Sequence, residues 1–200
     1  MPERKGRVMG KIADKLFFRN HCLCPRWLCF TFDNGLRRLI QNPERIAGRY
    51  IKEGDIVLDV GPGIGFFTIP MARIVGSRGR VIAADIQESM LEGIAGRAKR
   101  AGVADRIILH LASQDSLGVT TAADFILAFW MAHEVPDQQH FYQQLNAVLR
   151  DSGRFLLVEP KMHVSGKQFK AEIAAAGAAG FKLVETPTVS LSHAALFAKL

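Results

Sequence analysis

Beyond Cys29 this chain of 200 residues has no cysteine, and the three it has, Cys22, Cys24 and Cys29, fall within eight positions. An odd number of thiols without a secretory-signal pattern argues against a disulfide scaffold, so we expect reduced thiols and a cytoplasmic protein. Cys-x-Cys-x4-Cys is not a zinc spacing, and no second ligand pair follows it. His21 with the three thiols could form a metal or arsenic site, but packing in an aromatic segment is the simpler account, and no metal is expected. Long apolar runs are missing too. Arg19, Arg26 and Asp33 bracket and break the most apolar N-terminal stretch, residues 16–32, so no membrane insertion is expected. There is no internal repeat. The eight prolines and eighteen glycines are scattered, so no long disordered linker is indicated. What remains is a length and apolar content suited to one domain with a full core.

Acidic residues are scarce in the first fifty positions. Eleven basic side chains stand there against four acidic ones, an excess of seven that equals the net charge of the whole chain. Such an arm could attract an acidic acceptor, a nucleic acid or a membrane surface; the plain alternative is a solvated arm. We therefore divide the chain into residues 1–40, a basic N-terminal arm with a helical lid or cap, and residues 41–200, the enzyme domain. The lid would span residues 16–39 and carry Trp27, Phe30 and Phe32.

From Asn42 the pattern becomes regular. Asn42-Pro43-Glu44 reads as a helix start: an amide cap, a proline at the first position, an acid at the positive end of the dipole. Ile46 and Tyr50 give this short helix its apolar face. Strands are expected at 56–60, 81–85, 106–111, 124–128 and 154–159, with helices at 65–74, 88–101, 137–149 and 165–178. The helix at 88–101 should bury Leu91, Ile94, Ala95 and Ala98. The next should bury Phe141, Leu145, Val148 and Leu149. Gly180 is a stop signal for the last helix. Strands at 181–189 and 194–199 then follow with no helix between them. Alternating strands and helices imply a doubly wound α/β sheet, mostly parallel, and the closing pair implies an antiparallel hairpin at one edge.

Chemistry concentrates at Val57-Leu58-Asp59-Val60-Gly61-Pro62-Gly63-Ile64-Gly65. A buried strand runs into a glycine turn and then a helix, the place where open α/β sheets bind ligands. A dinucleotide site wants G-x-G-x-x-G, with a pyrophosphate on the helix N-terminus. Its third glycine would be residue 66, which is Phe. A nicotinamide dehydrogenase is therefore disfavoured. Asp59 suits a ligand with a cationic amino group. Asp85 closes the second strand twenty positions after Gly65, at its exposed carboxyl end, where a carboxylate can accept hydrogen bonds from both ribose hydroxyls of an adenosine.

These residues resemble the class I S-adenosylmethionine-dependent methyltransferases, and most of all the small-molecule branch that includes the ubiquinone- and menaquinone-biosynthesis (type 11) methyltransferases. Residues 59–65 match the family's first motif. Residues 84–91, Ala-Asp-Ile-Gln-Glu-Ser-Met-Leu, match the second. Residues 129–136, Phe-Trp-Met-Ala-His-Glu-Val-Pro, match the segment after the fourth strand, and residues 145–154 match the helix and turn before the fifth. The resemblance covers residues 55–160 and implies a Rossmann-like seven-stranded sheet with its last strand reversed. It also implies S-adenosyl-L-methionine as cofactor, held by Asp59, Gly61, Pro62, Gly63, Gly65, Asp85, Ile86, Ser113, Gln114 and Phe129. The family's Gly-Asp pair at the adenine is replaced here by Ala112-Ser113, so the amine contact falls to Ser113 or Gln114, or to Asp115 after a small register shift.

The acceptor side is drawn from Trp27, Phe30, Phe32, Phe129, Trp130, His133, Glu159, Lys161 and His163. His133 is the candidate general base, with Glu134 as its orienting partner; the bland reading is a buried His beside a helix-capping acid. The expected function is methyl transfer to a small or medium-sized acceptor by direct in-line displacement, which asks mainly for alignment and exclusion of water. Two alternatives stand beside it. One is an RNA methyltransferase using the basic arm, which the absence of an Asn-Pro-Pro-Tyr-like motif at 129–132 disfavours. The other is a catalytically silent cofactor-binding protein.

Overall fold

The computed structural model describes residues 35–200. Most of the expected lid, with the three cysteines, His21, Trp27, Phe30 and Phe32, lies outside the described residues. The described chain opens with α1 (Gly35–Ile40) and α2 (Pro43–Ile46), followed by one 3-10 turn, Gly48–Tyr50. Asn42 caps α2 as its composition requires: its side chain accepts from the Arg45 amide, 3.1 Å away, and Pro43 fills the first position.

Seven strands and four further helices then alternate: β1 (Ile56–Val60), α3 (Thr68–Ile74), β2 (Arg80–Asp85), α4 (Glu88–Ala101), β3 (Ile107–Leu111), β4 (Ala123–Phe129), α5 (Gln138–Val148), β5 (Leu149–Pro160), α6 (Gly166–Ala178), β6 (Phe181–Glu185) and β7 (Ser192–Lys199). They build one sheet in the order β3-β2-β1-β4-β5-β7-β6. Pairings from β3 through β5 are parallel, and β7 runs antiparallel to both β5 and β6. This is the doubly wound sheet with a reversed last strand that the pattern implied.

The central strands are apolar on both faces because both faces are covered. On one side Leu58, Ile126 and Leu157 meet Phe141, Tyr142 and Leu145 of α5 and Phe169 of α6. On the other, Val57, Phe125 and Leu156 meet Met71 and Val75 of the α3 region and Ala47 and Ile51 beside α2. α4 covers Ala83 of β2 with Leu91 and Ile94. Its buried face is Met90, Leu91, Ile94 and Ala98; Ala95, expected inside, is exposed, and the stripe extends instead to Met90 on its opposite flank.

Three boundaries differ from expectation by three residues or more. The helix expected from Gly65 begins at Thr68, because Gly65 has φ +86°, a conformation no right-handed helix contains. β6 stops at Glu185 instead of residue 189, since Pro187 has no N–H to give the ladder. β5 begins at Leu149, directly off α5, where Leu149 pairs with Ala123 and Arg150 grips both oxygens of Asp124 at 2.5 Å. Two expected ends are met closely. Ser165 forms a capping box with Gln168 at the start of α6, and Gly180, at φ +91°, follows its end. Sheet order reverses at β1, whose neighbours are β2 and β4. Connections from β1 and β4 therefore leave in opposite directions and open a crevice above their carboxyl ends.

Candidate active site

One wall of the crevice is the turn at residues 61–65. Gly61 (φ +61°) and Gly63 (φ +54°) both sit in the left-handed region, where a side chain costs roughly 1–2 kcal/mol. Their surroundings differ. A Cβ on Gly61 would come within 2.9 Å of Met131 Cγ, so the residue after Trp130 packs directly on the turn. A Cβ on Gly63 would meet nothing within 4 Å: the backbone there borders open space that a ligand could fill. Gly61 is fixed by its amide to Ala84 O (2.9 Å), and Gly65 by its amide to Pro62 O (3.0 Å).

Asp59 lies beneath the turn and is 2% exposed. Its Oδ2 accepts from Thr68 Oγ1 at 2.7 Å. Burial raises its pKa to about 7, against the hydroxyl bond of Thr68 and with help from the charge of Asp85. The two acids thus share one electrostatic neighbourhood, at the ends of adjacent strands.

Asp85 was expected at an exposed strand end. It is 7% exposed, and its carboxylate accepts from the Gln87 amide at 2.9 Å and from the amides of Gly63 and Ile86. Burial pushes its pKa up while these three amides pull it down, with a net rise. The acid is therefore a structural clamp between the glycine turn and the start of α4. Ile86 next to it is 36% exposed, beside the crevice.

The Ala112 amide donates to Asp85 O (3.0 Å), which brings the loop after β3 to the same end of the sheet. Ser113 is exposed, and its hydroxyl is engaged with Ser116 within a tight turn. Gln114 and Asp115 are exposed beside it. Phe129 ends β4 with its ring 8% exposed, 4.4 Å from the Phe67 ring and 5.4 Å from that of Trp130. Its contribution is to an aromatic wall. Arg37 of α1 lies over that wall, 4.3 Å from the Phe66 ring centroid and 5.0 Å from that of Trp130.

Trp130 has φ +61°, a strained conformation for a bulky residue, and such strain concentrates at functional turns. It is held by its amide to Val158 O (2.7 Å) and by its indole N–H to Ser192 Oγ (2.9 Å). The bend turns the chain into the 3-10 turn Ala132–Glu134, which carries His133.

His133 is brought to a carboxylate, but not the expected one. Its Nδ1 is hydrogen-bonded to Glu159 Oε2, at the end of β5. Glu159 is fully buried, and its Oε1 accepts from the Ala132 amide at 2.8 Å. Glu134 is exposed and acts on His133 through its charge, without a hydrogen bond to it, and the helix-capping acid is Asp137, which accepts from the His140 amide. The pairing of His133 with Glu134 is thus corrected to His133 with Glu159. Neighbours in a 3-10 turn diverge by about 120°, so His133 and Glu134 cannot share a direction. Burial opposes the charged imidazole; the bond and charge of Glu159, with the charges of Glu134 and Glu172, outweigh it and raise the pKa above 6.5. His163 stacks on His133 with ring centroids 5.9 Å apart. With Nδ1 committed, Nε2 is the nitrogen left to take a proton.

Three residues of this region were not singled out from sequence: Gln138 and Tyr142 on α5, and Glu172 on α6. A signal for the last existed. Phe169, Glu172 and Ala176 fall at i, i+3 and i+7, so the helical period itself puts an acid on the buried face.

Comparisons with known proteins bear on the family and the fold. Residues 51–188 match a family model described as a methyltransferase domain. The chain is similar to the ubiquinone/menaquinone biosynthesis C-methyltransferase UbiE of Marinomonas sp. (strain MWYL1), 32% identical over 128 residues, covering 62% of this chain and 50% of the relative. It is similar to UbiE of Escherichia coli O9:H4 (strain HS), 30% identical over 54% of this chain and 44% of that one. The chain thus spans about half the length of the curated relatives it matches. In structure it resembles a SAM-dependent methyltransferase from Aquifex aeolicus, with a TM-score of 0.77 and 20% identity over 88% of this chain and 99% of that one. It also resembles a SAM-dependent O-methyltransferase from Thermotoga maritima, with a TM-score of 0.64 and 20% identity over 80% and 64% of the two chains. Sheet order, glycine turn and family match lead to one assignment: the chain belongs to the methyltransferase domain family.

Proposed function

We propose that this chain methylates a small or medium-sized apolar acceptor of the phenol or quinol type, with His133 as general base. The observation that carries the reading is the His133–Glu159 pair, at the carboxyl ends of β4 and β5 and two residues from Met131, which packs on the glycine turn. UbiE relatives named for C-methylation support the acceptor class.

The residues present fit the cofactor: Gly63 borders open space, and Asp85 and the Ser113–Gln114 loop stand at the same end of the sheet. Gly61, Pro62, Gly63 and Gly65 would cradle its amino-acid end with Asp59 beneath them. Asp85 would take the ribose, Ile86 one face of the adenine, and Ser113 or Gln114 its amine. Phe129 would close the site on the acceptor side. When bound, S-adenosylmethionine supplies a methyl group on a positively charged sulfur, transferred by direct displacement. The aromatic wall orients the acceptor and excludes water. His133 Nε2 removes the acceptor's hydroxyl proton, and Glu159 stabilises the imidazolium that forms. The acceptor thus becomes nucleophilic at oxygen or at the ring carbon beside it. Residues 16–39 would close over this pocket as a lid, with Arg37 its described anchor.

The test is a panel of phenols, naphthoquinols and benzoquinols incubated with the full chain and S-adenosylmethionine bearing a labelled methyl group. One quinol or phenol should gain the label, and His133→Gln should abolish the gain. Label entering RNA, and no small molecule, would overturn the acceptor class and favour the basic arm as an RNA-binding element.

A further inference from the structure

Behind the His133–Glu159 pair lies a buried acid that the reading above does not use. Glu172 of α6 is 3% exposed. Its Oε1 receives the side-chain amide of Gln138 at 3.4 Å, and the same amide nitrogen donates to Ala132 O at 3.1 Å. Ala132 is therefore held at both ends, its N–H by Glu159 and its C=O by Gln138. His133 is the next residue, so the turn that carries it is clamped by two carboxylates.

We propose that Glu172 is a positioning residue of this active site: through Gln138 it fixes the Ala132–Glu134 turn, and its charge state sets how tightly His133 holds a proton. This rests on the reading of His133 as the base. Two observations support it. First, Glu172 Oε2 and the Tyr142 hydroxyl are both buried and lack a hydrogen-bond partner among the described residues. A carboxylate left in that state is costly, and a second buried carboxylate, Glu159, adds repulsion. Second, two buried acids face one imidazole. A proton resident on Glu172 leaves the His133–Glu159 pair balanced, and loss of that proton adds a negative charge near the imidazole. Burial and the charge of Glu159 raise the Glu172 pKa to about 7, where this exchange falls within the working range. Burial and the two acids likewise raise the pKa of Tyr142, which keeps its phenol neutral.

The other groups in this field are accounted for. His133 is faced by Glu159 from β5, Glu134 from its own turn, His163 from the loop after β5, and Glu172 from α6. Glu172 is faced by Glu159, Tyr142, Gln138 and His133. His193 of β7 pairs in register with Glu159 and stacks on Phe169 of α6. Of these groups, Glu172 alone combines an unpartnered buried oxygen with a link to the turn.

The test uses the full chain with histidines labelled at Cε1, the His133 signal being identified by its loss in His133→Gln. Glu172→Gln keeps an oxygen to accept from Gln138 and removes the charge. Its His133 titration midpoint should fall by about one pH unit, and the acid limb of kcat should move down with it while S-adenosylhomocysteine affinity stays unchanged. Glu172→Leu, which also releases Gln138, should lower kcat further at every pH. A His133 midpoint unmoved in a folded Glu172→Gln would overturn the proposal. Should that variant not fold, the wild-type chain labelled at glutamate Cδ decides. A Glu172 carboxyl titrating near pH 7, with a matching inflection in His133, upholds the coupling. Titration below about pH 5 overturns it. Because the NMR arms need no acceptor, they can fail while His133 remains the base, and an inert His133→Gln result in the acceptor panel bears on the base alone.

Discussion

Replacing Asp59 by Asn should make the fold more stable at pH 8 while weakening the cofactor site. Asp59 is 2% exposed, with one oxygen bound to Thr68 and Asp85 close by. Its pKa is near 3.8 unfolded and about 7 folded. The folded state therefore holds this proton more tightly than the unfolded one. The group's contribution is fully present below about pH 4 and is lost as pH rises through 7. At 1.36 kcal/mol per unit, the gap of about three units corresponds to roughly 4 kcal/mol at most. Relaxation and water entry bring the expected figure to about 1–4 kcal/mol, or a rise of roughly 2–10 °C in Tm for a domain of this size. Asn keeps an oxygen for the Thr68 hydroxyl, so little is lost in exchange. The assay is thermal unfolding of both proteins from pH 4 to 8.5. The difference should be near zero at the acid end, open between pH 4 and 7, and level off above. A difference that is flat with pH, or that favours wild type at pH 8, would refute the buried-acid argument.

Other perturbations separate further parts of the account. Asp85→Ala should weaken S-adenosylhomocysteine binding by about 1.5–3 kcal/mol; because three amides lose their acceptor, Tm should also fall by several degrees, which paired calorimetry and melting will show. Methyl transfer should rise with pH through a midpoint above 6.5, since His133 must lose its proton to act and its pKa is raised; Glu159→Gln should lower that midpoint and also kcat, and a rate independent of pH from 5.5 to 9 would remove the base. Deleting residues 1–34 should leave cofactor binding intact and reduce acceptor turnover steeply; loss of folded protein would make the segment a structural cap, and unchanged turnover would remove the lid.

Much of the fold was legible because its signals are local. Asn42-Pro43-Glu44, Ser165 with Gln168, and Gly180 each mark an end through bonds made within a few residues. Strands β1 and β4 declared themselves by continuous apolar runs. Misplaced ends have equally local causes, the positive φ of Gly65 and the missing N–H of Pro187. In the site, the glycine turn and Asp85 were readable as a contiguous motif with a set spacing. Glu159 was not readable as the partner of His133, because the two are 26 positions apart and meet only through the pairing of β4 with β5. Sequence neighbourhood favoured Glu134, and the turn geometry sends it elsewhere. Glu172 is an acid on an apolar helical face, and single polar residues on such faces are common enough that the pattern alone does not mark a site. Ser113 lies in the loop after β3, and its hydroxyl is taken by Ser116, so an adenine contact there would require that turn to open.

The central claim is that the turn at 61–65 with Asp59 and Asp85 is a site for S-adenosylmethionine. Titration calorimetry of the full chain tests it most directly. S-adenosylmethionine and S-adenosylhomocysteine should each bind once per chain, both weakened in Asp85→Ala, with no heat from NAD. Saturable NAD binding, with no response to S-adenosylhomocysteine, would contradict the account.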